Sequence, residues 1–211
     1  MVSNIIHIWV LPIPPTISPE EERRLLSILG EQEMSRYQRL SNRSRQIQYL
    51  LGHALARFKA ASLLNLFPQN VPLIFEEGGK PRLEGNSGWH CSLSHTSELI
   101  AWAMAPFPVG VDLEGERVIK NPLKIARRFF STTEVAELES LDEMAQQKRF
   151  RQIWCLREAL YKAETDSPHP WQFELFHFFQ HVMALAAATS ALPQVIVEKV
   201  VYQEFLIFPV P

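Results

Sequence analysis

The chain has 211 residues, 46% hydrophobic and 21% charged, which is enough apolar material for a packed globular core. Its net charge of −2 excludes a general attraction to nucleic-acid backbones, so any anionic ligand must be met by cations gathered locally. No stretch reaches the roughly 18 uninterrupted apolar residues of a membrane-spanning helix, and the first residues lack the basic and apolar segments of a secretory signal.

A cytoplasmic protein is therefore expected, with no membrane or nucleic-acid partner. Cys91 and Cys155 are the only cysteines and form no C-x-x-C pair, so two reduced, buried thiols are expected rather than a disulfide framework or zinc cluster.

Residues 5–10 read as a short strand, after which Pro12, Pro14 and Pro15 break the chain. Ser18, Pro19 and Glu21 form a helix start with a capping box, and Gly30 marks the end of this one short helix. Over residues 44–66, Ile47, Leu50, Leu51, Ala54, Leu55 and Phe58 recur at three- and four-residue spacing, predicting a long amphipathic helix that Pro68 ends.

Between residues 71 and 105 short apolar runs alternate with Gly-Gly, Gly-Asn-Ser-Gly and His-Thr-Ser-Glu, as antiparallel strands and turns would. Pro106 and Pro108 make a hinge. Ser131 and Glu134 form a second capping box, and residues 147–163, with Phe150, Ile153, Trp154 and Leu160, predict a second long helix. Residues 173–179, 182–188 and 195–208 have the composition of half-buried sheet.

This order predicts an α+β chain of two similar lobes, residues 1–105 and 106–211, each packing antiparallel strands on one long helix. The ligand cleft is expected at their junction, and two lobes in one chain favour a monomer.

In residues 109–114, period-two alternation sends Asp112 and Glu114 to one face and Val111 and Leu113 to the other. Adjacent carboxylates repel unless a cation intervenes, and oxygen-only ligands favour magnesium or calcium over zinc. Alone, such a pair is more simply a solvated strand face. Glu158 and Lys162 stand one helical turn apart, where an ordinary surface pair worth about 0.3–0.5 kcal/mol is the simpler reading.

Gly78-Gly79-Lys80-Pro81 presents an ammonium on a flexible turn. It is not a P-loop, since no Ser or Thr follows the lysine. Ser94 and His95 end an apparent strand with groups suited to phosphate oxygens, and no G-x-S-x-G elbow supports a hydrolytic serine. Arg36, Arg39, Arg43 and Arg45 make a local basic cluster or a solvated face. His177 and His181 are four apart in a sheet-like segment without the glutamate of a zinc helix, and read as structural or exposed.

Taken in chain order, Gly79-Lys80-Pro81, Ser92-Leu93-Ser94-His95-Thr96, Gly110-Val111-Asp112-Leu113-Glu114 and residues 154–163 resemble the motif series of the 4'-phosphopantetheinyl transferases of the surfactin-synthetase-activating type. Residues 125–131 with Glu134, and Leu50-Leu51-Gly52, are similar to further segments of that family, so the resemblance spans about residues 36–163. It implies the pseudo-two-fold fold of that family and transfer of phosphopantetheine from coenzyme A to a serine of an acyl or peptidyl carrier protein. The serine hydroxyl attacks the β-phosphorus and adenosine 3',5'-bisphosphate leaves.

By resemblance Asp112, Glu114 and Glu158 are magnesium ligands, and Glu158 is also the base. The catalytic set is Asp112, Glu158 and Lys162. Lys80, Ser94, His95 and Lys162 contact the coenzyme A phosphates, Arg36 and Arg45 assist them, and Pro81 shapes the turn.

Three positions depart from the common pattern. Arg157 replaces the usual lysine, residues 164–170 replace a glycine-containing turn, and Gln48 stands about where many relatives place an arginine. A carrier-binding module that has lost turnover, and another magnesium-dependent phosphate enzyme, remain the alternatives. The pathway served by the carrier is not written in the sequence.

Overall fold

A computed structural model describes residues 4–76, 78–85, 88–163, 167–178 and 180–207. Strand β1 (Ile5–Pro12) leads to α1 (Pro19–Leu26), whose capping box forms as expected: Ser18 Oγ accepts the Glu21 amide and the Glu21 carboxylate accepts the Ser18 amide. Gly30 does more than end a helix. It is the N-cap of a second short helix, α2 (Glu31–Gln38), and its amide donates to Glu33 at 2.7 Å. A glycine carries no capping side chain, which is why the sequence pattern gave no start signal there.

The long helix α3 (Arg43–Leu64) is capped by Asn42 and ends at Asn65 in the left-handed conformation, φ 54°, before Pro68. There follow β2 (Leu73–Phe75), β3 (Pro81–Leu83), β4 (His90–His95), β5 (Leu99–Ala105), β6 (Val109–Gly115), α4 (Pro122–Phe129) and α5 (Thr132–Glu139). The second long helix, α6 (Glu143–Lys162), begins earlier than expected because Asp142 accepts the Ala145 amide as its cap.

Strands β7 (Trp171–Phe178), β8 (His181–Ala188) and β9 (Gln194–Lys199) complete the chain's sheets. The strand expected over 195–208 stops at Lys199, and Tyr202–Leu206 is a 3-10 turn instead. Phe179 and Phe208, at the ends of expected strands, lie outside the described residues.

The strands form sheets ordered β4-β5-β1-β9, β6-β8-β7 and the small pair β2-β3. Strict alternation along β1 and β5 sends Trp9, Leu11, Ile100, Trp102 and Met104 against α3, and Ile6, Ile8, Val10, Ala101 and Ala103 against the second sheet. Val111, Leu113, Met183 and Leu185 meet them there, while Ala184 and Ala186 turn outward to Cys155 and Ala159 of α6. The result is four layers, α3, sheet, sheet and α6, an α+β architecture with one long helix on each sheet.

The sheets cross the expected boundary at residues 105 and 106 in one place. Strand β9 pairs parallel with β1, from Ile5↔Gln194 to Val10↔Lys199, and the Phe205 ring beyond it stacks on Phe58 of α3 at 4.8 Å. Among the described residues no helix is long and apolar enough to cross a membrane.

Two contacts fix how the layers meet. Gly110 of β6 lets α6 approach so closely that an added Cβ would stand 1.8 Å from the Ala159 carbonyl oxygen. Along the outer edge of β6, the amides of Val111 and Leu113 donate to Ser92 Oγ and Ser94 Oγ of β4, both at 3.1 Å. The two-residue spacing of the serines matches the strand period, so a row of amides that would otherwise be orphaned is closed by side chains of the other sheet.

A buried ionic cluster joins α2 to α3. Glu33 accepts from Arg57 Nε at 2.8 Å and from His53 Nδ1 at 2.7 Å, and all three residues are buried. Burial works to raise the Glu33 carboxyl, but hydrogen bonds from His53 and Arg57 outweigh it and hold the group below its ordinary value of 4.5. Burial drives His53 below its ordinary 6.5 despite Glu33, so the ring is held neutral.

Three outcomes follow from this packing. Gly110→Ala should cost about 3 kcal/mol or more in urea unfolding, whereas Gly78→Ala, which meets nothing within 4 Å, should change stability by less than about 0.5 kcal/mol. Ser92→Ala, which orphans the buried Val111 amide, should cost about 1–3 kcal/mol by the same measurement.

Stability should also fall in acid. Below the unfolded-state value of His53, near 6.5, the unfolded chain takes up a proton that the folded chain refuses. Below 4.5 the Glu33 contribution is lost as pH falls through its depressed folded value. Unfolding curves collected across this range should show both losses, with the first reduced in His53→Gln. His7 and His95, also held below 6.5, add to it with the same sign.

Candidate active site

The two larger sheets and their helices line an open cleft of about 1410 Å³, and every residue singled out from the sequence as a site residue lines it. One wall carries Arg36 from α2, Arg45 from the first turn of α3, Lys80 and Pro81 from the β2–β3 hairpin, and Ser94 and His95 from the end of β4. The other carries Asp112 and Glu114 from β6, with Glu158 and Lys162 from α6. Alternation along β6 acts as read from the sequence: Val111 and Leu113 enter the inter-sheet core, leaving Asp112 and Glu114 to face α6 and the cleft.

At the seam, Asp112 Oδ1 accepts from Ser94 Oγ at 2.9 Å and from Lys162 Nζ at 2.6 Å, and Lys162 also donates to Ser94 Oγ at 3.0 Å. The second carboxylate oxygen, Asp112 Oδ2, is buried and has no hydrogen-bond partner among the described residues. An orphaned buried carboxylate oxygen is costly and marks a place for a donor or a cation. Lys162 thus turns to Asp112 of the same wall and to Ser94 of the other, and the simple one-turn surface pair with Glu158 is not what orients it.

Burial raises the Glu114 carboxyl above its ordinary value, and the negative charges of Asp112 and Glu158 push the same way against the cations of Arg117 and Lys162. Three carboxylates therefore feel one another in this wall. Among the described residues, no three His, Cys, Asp or Glu side chains are already drawn together as a metal cage. His95 is held below its ordinary value by burial against the cleft walls and by the Lys162 ammonium.

The basic cluster of the sequence divides. Arg36 and Arg45 reach the cleft, whereas Arg43 pairs with Glu22, its Nη2 2.9 Å from Oε2, and Arg39 donates to the Ser35 carbonyl. The same Glu22 accepts the Tyr37 hydroxyl; burial and that carboxylate push the phenol up to about 12. Gln48 lines the cleft and donates to the Thr96 carbonyl, holding the turn after His95.

Arg157 does not line the cleft. It pairs with the capping Glu134 at 2.6 Å and stacks over Phe130, binding α6 to α5. Cys91 and Cys155 are buried thiols that donate to the Pro81 and Asp112 carbonyls. Residues 164–166 of the replaced glycine turn lie outside the described residues.

Sequence reasoning missed several lining residues. His177 is exposed, but His181 is buried at the cleft rim with Nε2 3.5 Å from Glu98, bridging the β7–β8 and β4–β5 turns. Tyr49, His53 and Phe75 stack in one column, each neighbouring pair of centroids 3.8 Å apart. One signal was present: His53 and Arg57 interrupt an otherwise apolar helix face one turn apart.

The profile of the 4'-phosphopantetheinyl transferase superfamily matches residues 108–189, the span that carries Asp112, Glu114, Glu158 and Lys162. The 4'-phosphopantetheinyl transferase Sfp of Bacillus subtilis is 28% identical over 148 residues, covering 70% of this chain and 65% of Sfp. HetI of Nostoc sp. is 29% identical over 171 residues, covering 79% and 71%, and gsp of Aneurinibacillus migulanus is 28% identical over 159 residues, covering 75% and 65%. The matched region thus spans just under two thirds of the length of Sfp and gsp. With its motifs in family order and gathered in one cleft, the chain is similar to the 4'-phosphopantetheinyl transferases, and residues 108–189 match the model of that superfamily.

Proposed function

We propose that the chain transfers the 4'-phosphopantetheine group of coenzyme A to a serine of an acyl or peptidyl carrier protein, acting as a cytoplasmic, magnesium-dependent monomer. The observation that carries this reading is the opposition of the cleft walls, with Arg36, Arg45 and Lys80 on one side and Asp112, Glu114 and Glu158 on the other. A volume of about 1410 Å³ exceeds the ~300–1,000 Å³ of sites for drug-sized ligands and suits a long nucleotide donor.

The donor set fits magnesium: it is all oxygen, Asp112 Oδ2 lacks a partner among the described residues, and burial with the charges of Asp112 and Glu158 raises Glu114. Asp112, Glu114 and Glu158 would hold the ion, which supplies positive charge against the pyrophosphate and its leaving group.

The chain's own residues do the remaining work in this proposal. Arg36, Arg45, Lys80 and His95 grip donor phosphates, and Pro81 stiffens the turn that presents Lys80. Lys162 Nζ, placed between Ser94 and Asp112, offers its charge to the phosphoryl oxygens as negative charge builds on them. A Glu158 carboxylate oxygen accepts the proton of the incoming serine hydroxyl, directly or through water. Fixed cations in a partly dry cleft supply most of the rate enhancement. Arg157, engaged with Glu134 and Phe130, takes no part.

Intact-mass analysis of an apo carrier protein incubated with the chain, coenzyme A and magnesium should show the gain of one phosphopantetheine arm, abolished by EDTA. No gain on any of several carriers, with coenzyme A still bound, would instead identify a carrier-binding module. Release of free phosphopantetheine without a carrier would identify a hydrolase. Asp112→Asn and Glu158→Gln should each lower transfer by at least about 10²–10³-fold with cooperative unfolding retained, and wild-type turnover in both would remove the metal assignment.

A further inference from the structure

The cations of the first wall stand on two separate elements, Arg36 on α2 and Lys80 on the β2–β3 hairpin. Both elements are tied to the same two residues of α3, Arg57 and His53, α2 through the Glu33 carboxylate and the hairpin directly. Glu33 lies on α2 one turn before Arg36 and is buried against Arg57 and His53 of α3, each within hydrogen-bond reach at 2.8 and 2.7 Å. The remaining nitrogens of Arg57 donate to the carbonyls of Pro68 and Val71 at 3.2 Å and of Leu73, the first residue of β2, at 3.4 Å.

The His53 ring is clamped between Tyr49 and Phe75, the last residue of β2. Phe75 pairs with Pro81, and the Glu76 amide donates to the Lys80 carbonyl at 2.9 Å, closing the hairpin. The Arg36 guanidinium lies beside this turn, 4.0 Å from where a Cβ on Gly79 would stand.

A charged cluster buried this deeply is a poor choice for stability alone, because apolar side chains of similar volume commonly hold such a contact as well or better. What the charges add is direction. An arginine fork meets a carboxylate in few orientations, and a neutral histidine wedged between two rings has little freedom to rotate.

We infer that Glu33 is a positioning residue for the donor: through Arg57 and His53 it sets Arg36 and the Lys80 hairpin at one mutual spacing, the spacing of the coenzyme A phosphates they grip. The inference rests on the donor-site reading above. Glu33 does not line the cleft itself and is placed to act only through its neighbours.

The test is coenzyme A binding by titration calorimetry, with transfer kinetics, on wild type, Glu33→Gln, Arg36→Gln and the double variant, all well below their melting temperatures. Glu33→Gln should unfold cooperatively, weaken coenzyme A binding and raise its KM by about tenfold, and leave kcat within about twofold, because Asp112, Glu158 and Lys162 stand on the opposite wall. If Glu33 acts through Arg36, Arg36→Gln costs less affinity in the Glu33→Gln background than in wild type.

Additive losses, or unchanged coenzyme A affinity in folded Glu33→Gln, overturn the inference while leaving the donor site intact. Should Glu33→Gln fail to fold, Arg57→Lys, which keeps the charge and loses the fork, should show the same rise in KM, and an unchanged KM overturns the inference. A wild-type chain that binds no coenzyme A overturns the donor-site reading and this inference with it.

Discussion

The hydroxyl of Ser94 is the point on which the cleft turns. It accepts the Leu113 amide and the Lys162 ammonium and donates to Asp112, so its hydrogen-bonding capacity is spent on three groups from two elements, β6 and α6. One of these bonds closes the free edge of β6, the second orients a carboxylate, and the third holds a lysine from the end of α6. Edge protection and site assembly are therefore the same act. A longer or branched side chain at this position would have to give up one of the three.

That economy explains the layering around it. β6 can lie against β4 without continuing the sheet because serine side chains, not backbone groups, complete its hydrogen bonding. The two sheets remain separate, and their facing apolar rows, Ile8, Val10 and Ala101 against Val111 and Met183, supply the adhesion that the seam itself lacks. On the far side, Gly110 and the alanines of β8 bring α6 near enough for Lys162 to reach the seam.

Much of this was legible in the chain. Capping boxes at Ser18 and Ser131, the apolar period of the two long helices and the alternation that sends Asp112 and Glu114 to one face depend on neighbours close in sequence, and all three are present. The motif order placed ten residues that the fold gathers in one cleft. What stayed hidden depends on partners distant in sequence. Helix α2 starts on a glycine whose amide is satisfied by Glu33 rather than by a cap side chain. His181 read as structural or exposed because its partner, Glu98, stands on the turn between β4 and β5, 83 positions earlier in sequence. The direction taken by Lys162 depends on Asp112, fifty positions away along the chain.

Strand β9 carries a consequence for how the molecule is made. It lies along β1 with the Trp9 indole donating to Glu198 across 189 positions of sequence, so the first sheet is finished by the last of the described strands in chain order. Loop closure over such a span is entropically expensive and slows folding. Until β9 arrives, the growing chain presents one side of β1 as an open template, and a nascent first lobe is sticky rather than self-sufficient. Pairing of β9 with β1 therefore ties the segment after the hinge to the first sheet.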